Sequence, residues 1–125
     1  MRWIVDGMNL IGSRPDGWWR DRGGAQRRLI GELAAFAERG GDRVEVVFDG
    51  RRRPDQSVTG IAVRYAEGGP NAADRVIVAT VGNLTDPAAT TVVTSDAELA
   101  RQVQAAGAGV VGVGAFRRLL EGPAT

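Results

Sequence analysis

The chain has 125 residues, 43% of them hydrophobic, a mean hydropathy of −0.15 and a net charge of +1. This is enough for one compact domain and is the balance of a folded globule, not a disordered tail. There is no Cys, no His and, since all 16 basic residues are Arg, no Lys, which excludes disulfides, thiol nucleophiles, cysteine zinc sites, Ser-His-Asp chemistry, P-loop lysines and Schiff bases.

In chain order, Arg2–Val5 is a short apolar run that stops at Asp6-Gly7 and reads as a buried strand ending in a turn. Gly12–Gly24, with Pro15, Asp16-Gly17 and Gly23-Gly24, reads as a loop carrying Trp18-Trp19. Ala25–Arg39 places Leu29, Ile30, Leu33 and Phe36 at helical spacing and is stopped by Gly40-Gly41. Val44–Phe48 is a second buried strand ending at Asp49-Gly50, followed by a polar loop with Arg51–Pro54. Val58–Tyr65 reads as a third strand, although no clear helix connects it to the second.

After the turn at Gly68-Gly69-Pro70, Asn71–Val81 reads as a helix with Asn71 as N-cap and Asp74 in its first turn. Asp86-Pro87 interrupts the chain, and Thr90–Thr94 is a fourth strand ending at Ser95-Asp96. A helix over Ala97–Ala106 follows, with Ser95 and Glu98 at capping-box spacing. Gly109–Val113 is a fifth strand, and Ala115–Leu120 a last helix closed by Gly122-Pro123. Continuous β-branched strands alternating with helices predict an α/β three-layer fold, in one domain over residues 1–125, with a mostly parallel central sheet of about five strands covered on both faces.

The first, second and fourth strands end in Asp6, Asp49 and Asp96. In a parallel sheet those ends share one edge, where open α/β folds bind ligands. The helix from Asn71 starts at the same edge, which brings Asp74 to the same cleft. Each aspartate also has a plainer role open to it, as a turn residue at Asp6-Gly7 and Asp49-Gly50 or as a helix-dipole partner at Asp74 and Asp96. Together, carboxylates this close repel and raise one another's pKa, and a divalent cation relieves them. All-oxygen ligands suit Mg²⁺ or Mn²⁺.

Val5-Asp6-Gly7-Met8-Asn9-Leu10-Ile11-Gly12, Val46-Val47-Phe48-Asp49-Gly50, Ala73-Asp74-Arg75-Val76-Ile77 and Val93-Thr94-Ser95-Asp96 resemble the motifs of the NYN branch of PIN-like nucleases, the YacP-like group above all. The likeness runs in family order from the first strand to Phe116. It implies a Rossmann-like three-layer PIN-like domain with an acidic Mg²⁺ or Mn²⁺ pocket, an endonuclease of single-stranded RNA with Asp6, Asp74 and Asp96 as catalytic metal ligands. Asn9 would help to hold the metal, its water or a phosphate, with Asp49 and Ser95 as supporting residues. Asn71-Ala72-Ala73 departs from the pattern, since related proteins usually carry a Thr or Glu there.

Metal-assisted hydrolysis needs no side-chain base, which suits a chain without His. Arg51, Arg52 and Arg53 are placed to grip an RNA backbone, and Trp18, Trp19 and Tyr65 to stack on bases. Solvated loop charges and loop packing or a dimer contact are the plainer readings of the same residues. The expected partner is single-stranded RNA, with mRNA on the ribosome and a homodimer among the candidates. Two rivals stand beside the nuclease: an RNA- or ribosome-binding module with little cleavage, and the toxin of a toxin–antitoxin pair. No run approaches the roughly 20 apolar residues of a bilayer crossing, and Met1–Asp6 lacks the apolar region of a signal peptide, so the expected location is cytoplasmic and not membrane-bound.

Overall fold

The computed structural model describes residues 1–53 and 60–122. Its centre is a five-stranded sheet, all parallel, in the order β3-β2-β1-β4-β5, built from β1 (Arg2–Asp6), β2 (Arg43–Asp49), β3 (Ile61–Ala66), β4 (Thr90–Val93) and β5 (Gly109–Val111). The chain builds outward from β1 to β2 and β3, then returns to the other side of β1 for β4 and β5. The reversal lies between β1 and β4, which is where open parallel sheets leave a crevice at their carboxyl ends.

The alternation of strand side chains sorts the core into two layers. Trp3 and Val5 of β1, and Val44, Val46 and Phe48 of β2, face α1 (Gly7–Gly12), α2 (Arg22–Gly40) and α5 (Val113–Glu121). Ile4, Val47 and Val92 face the opposite way, onto Ile77 and Val81 of α3 (Ala72–Gly82) and Leu99 and Val103 of α4 (Ala97–Ala105). With helices on both faces, the central strands are buried twice over, which explains why they read as unbroken apolar runs. Trp3, Phe36 and Phe116 close the first layer with ring centroids 5.2–5.5 Å apart.

Several local expectations change. The segment after Asp6 is not a turn: α1 begins at once, and its Leu10 and Ile11 are buried. Gly7 allows this, because a Cβ there would lie 2.5 Å from the Phe48 ring. The expected loop over Gly12–Gly24 holds a 3-10 turn at Trp18–Arg20 and then the start of α2. Gly23-Gly24 belongs to that helix because Asp21 caps it, accepting from the Gly24 N–H at 2.9 Å. Asn71 does not cap α3 through its side chain; it sits in the left-handed region at φ 63°. β5 ends at Val111, so Val113 starts α5 instead of finishing a strand. The expected strand start at Val58 lies outside the described residues, as do Pro54 of the polar loop and Pro123 of the final stop.

Candidate metal and nucleic-acid site

All the strands run the same way, so the ends of β1, β2 and β4 deliver Asp6, Asp49 and Asp96 to one edge. Asp6 is 5% exposed at the centre of it. Thr94 donates its hydroxyl to Asp6 Oδ2 at 3.0 Å and accepts from the Asp96 N–H at 3.1 Å, which links the two aspartates through one buried side chain. Burial pushes the Asp6 carboxyl up from its ordinary 3.8 to about 6. The Thr94 bond opposes this, Asp74 adds to it, and the Asn9 backbone bond and Asp49 act in opposite directions with less weight.

Asp74, half-buried in the first turn of α3, is also raised, by burial first and then by the charges of Asp96 and Asp49, with Arg75 opposing. Asp6, Asp49, Asp74 and Asp96 therefore stand in one another's fields. The bonds around them show what holds each in place. Asp49 Oδ1 accepts from the Ala73 N–H at 2.8 Å, so the carboxylate at the end of β2 caps the helix that carries Asp74. Asp96 is itself the N-cap of α4, accepting from Leu99 N–H at 2.9 Å.

Ser95 does not form the expected capping box: Glu98 pairs with Arg101, and the Ser95 hydroxyl accepts from Val113 N–H at the start of α5. Asn9 Oδ1 accepts from the Ser95 N–H at 2.8 Å, tying α1 to the turn after β4. A carboxylate has about four lone-pair sites, so these bonds leave Asp6, Asp49 and Asp96 with acceptor capacity. As the side chains stand, no three acidic groups among the described residues lie close enough to enclose an ion.

Beside this cluster the edge turns basic. Arg51, Arg52 and Arg53 are exposed and line a cavity of about 360 Å³ together with Asp49, Arg22 and Gln26. Trp18 is half-buried against the core, with Arg22 stacked 5.3 Å from its ring centre, and Trp19 is 58% exposed. Tyr65 leans on Phe48 and donates to the Arg53 carbonyl at 3.3 Å, which ties the Arg53 backbone to β3. Sequence reading missed Thr94 and Gln26. Gln26 was the findable one, three residues before Leu29 and four before Ile30, on the buried stripe of α2.

No helix among the described residues is long and apolar enough to cross a membrane. No curated protein matches the chain in sequence. Its fold is similar to the crystal structure of Rae1 (YacP) from Bacillus subtilis, at 26% identity and a TM-score of 0.79 over 97% of this chain and 74% of that one. A tryptophan-to-leucine mutant of the same Bacillus subtilis protein gives a TM-score of 0.82 at 26% identity, over 96% of this chain and 74% of that chain. The model of the YacP-like NYN domain matches residues 3–122. The chain belongs to the YacP-like NYN domain family, whose members are nuclease-like and RNA-related.

Proposed function

We propose that the protein is a metal-dependent endoribonuclease that hydrolyses phosphodiester bonds of single-stranded RNA at the aspartates of the sheet's carboxyl edge. The observation that carries this is the convergence of Asp6, Asp49, Asp74 and Asp96 on one edge of the sheet, where burial and then Asp74 and Asp49 raise Asp6, and burial and then Asp96 and Asp49 raise Asp74. Folding has placed like charges together at a cost in stability, which a bound cation would offset. The donor set is oxygen throughout and fits a hard ion, Mg²⁺ or Mn²⁺.

Asp6, Asp74 and Asp96 are the residues that would hold it. Such an ion supplies a water of lowered pKa and neutralises charge on the phosphate oxygens. The chain's own part is positioning. Thr94 orients Asp6, Asp49 fixes the helix turn that presents Asp74, and Asn9 fixes the turn that presents Asp96 through Ser95. Arg51, Arg52 and Arg53 offer forked donors to the backbone phosphates, and the exposed Trp19 offers a stacking face.

The test is single-stranded RNA incubated with wild type, Asp6→Asn and Asp96→Asn in Mn²⁺, Mg²⁺ and excess chelator. Cleavage by wild type with metal, lost in each other condition, is expected. Cleavage that survives the chelator or both substitutions refutes the reading. One observation favours a second reading, an RNA- or ribosome-binding module with little activity: no three acidic groups among the described residues enclose an ion as they stand. RNA bound but left intact under Mn²⁺ would select it.

A further inference from the structure

The cavity between the start of α2 and the Asp49–Arg53 segment has two features that folding alone does not explain. The first is its charge. Arg22, Arg51, Arg52 and Arg53 line it, and none of the four has an acidic partner among the described residues. Arg53 reaches over Gly23, where a Cβ would lie 3.0 Å from its Nη1. Cations at the start of a helix are opposed by its dipole, so this arrangement suits an anion that is shared between them.

The second is Gln26. It is 4% exposed, lines the same cavity, and its Oε1 has no hydrogen-bond partner among the described residues. Its Nε2 donates to the Met8 sulfur at 3.5 Å, a weak acceptor. Buried amides in native proteins are nearly always satisfied, and an exception asks for a reason. An amide that keeps an acceptor free and a donor weakly held beside arginines with no acidic partner among the described residues has the chemistry to read a base whose phosphate those arginines hold.

We propose that this cavity is a nucleotide subsite of the RNA-binding edge, in which Arg22, Arg51, Arg52 and Arg53 take backbone phosphate and the Gln26 amide accepts an N–H from the base. The proposal rests on the RNA reading above and adds a residue that would make binding depend on the base. Asp49 joins the two, since it lines the cavity and its charge is felt by Asp6 and Asp74. A nucleotide seated here is next to the acidic cluster, so base preference at this subsite sets where the strand lies relative to the aspartates.

The probes are fluorescent single-stranded RNA decamers of A, C and U and an abasic ribose-phosphate decamer, titrated in excess chelator so that nothing is cut. Wild type should bind at least one base-bearing decamer more tightly than the abasic one by what stacking on Trp19 supplies and by a further factor of roughly 5 to 10, the size of one well-placed hydrogen bond. Gln26→Met, and Gln26→Leu as a second apolar replacement, should remove that further factor and leave abasic binding unchanged. Arg51→Ala should weaken all decamers together. Thermal unfolding of each variant identifies any that fails to fold.

The subsite is overturned if folded Gln26 variants keep the wild-type preference, or if wild type binds base-bearing and abasic decamers equally. RNA that wild type does not bind at all overturns both this proposal and the RNA reading. Base-selective binding without cleavage under Mn²⁺ removes the hydrolytic reading and supports the subsite.

Discussion

Asp6→Asn should stabilise the metal-free protein at neutral pH while removing a ligand of the candidate site. Asp6 is buried, and its carboxyl titrates near 6 in the folded chain against 3.8 ordinarily. That difference is worth about 3 kcal/mol between the protonated and ionised forms. The sign follows from linkage: a carboxyl raised by folding contributes stability that is complete below its unfolded pKa and is lost as pH rises through its folded pKa. Wild type therefore gives up about 3 kcal/mol between roughly pH 4 and 7 on account of Asp6 alone. Asn keeps the oxygen that accepts from Thr94 and has no charge to desolvate. The expected difference, variant minus wild type, is small near pH 4, about 1.6 kcal/mol at pH 5 and close to 3 kcal/mol above pH 7. Equilibrium urea unfolding in chelator across this range measures it. A difference that does not change with pH, or a variant less stable than wild type at pH 7.5, refutes the burial argument.

Mn²⁺ should close most of that gap, raising wild-type stability by about 2.7 kcal/mol at a hundredfold excess over its dissociation constant and leaving Asp6→Asn nearly unmoved; calorimetry with and without the ion decides it. Asp49→Ala should cost about 1 kcal/mol by uncapping α3, whereas Asp49→Asn keeps the acceptor and should unfold like wild type. In Asp49→Asn the carboxyl of Asp74 should titrate at lower pH, since a like charge has gone, and carbon NMR of that side chain reads the shift. Gly7→Ala should destabilise the fold by about 1–3 kcal/mol, less a helix-propensity gain of up to about 1 kcal/mol, because the new Cβ meets the buried Phe48 ring; chemical denaturation checks it. Gln26→Met should raise the midpoint of the same transition by about 1 kcal/mol's worth, since it removes an unsatisfied buried carbonyl.

What could be read from the sequence and what could not differ in the range of the interactions involved. The strands and their aspartates were legible because a doubly covered parallel strand leaves a continuous apolar run, and its carboxyl end is simply the next residue along the chain. Asp6, Asp49 and Asp96 needed no partner to be placed at the sheet's edge. The capping pattern was misread at α3 and α4 because the competing partners are far away in sequence, an acceptor in one case and a donor in the other. Ser95 stands at capping-box distance from Glu98, yet its hydroxyl is taken by Val113 and the cap passes to Asp96. Asn71 has the right chemistry to cap α3, but Asp49, 24 residues before Ala73, supplies the oxygen. The helix α1 was hidden for a related reason: Gly7 reads locally as half of a turn, and only the Phe48 ring from the neighbouring strand explains why no side chain fits there.

Gln26 carries the same logic toward function. Its spacing from Leu29 and Ile30 put it on the buried face of α2, where a polar residue conflicts with the pattern around it. Such a conflict is costly unless something satisfies the amide, and nothing among the described residues does. Asp6 makes the parallel case with charge in place of a hydrogen bond, buried at the end of β1 and raised by its neighbours. Both residues weaken the isolated fold, they face adjoining parts of one edge through Asp49, and each would be repaid by a different part of one nucleotide strand: Asp6 through the cation that meets its phosphate, Gln26 through its base. If Asp6→Asn and Gln26→Met both stabilise the free protein and both weaken its work on RNA, the two costs belong to a single binding edge.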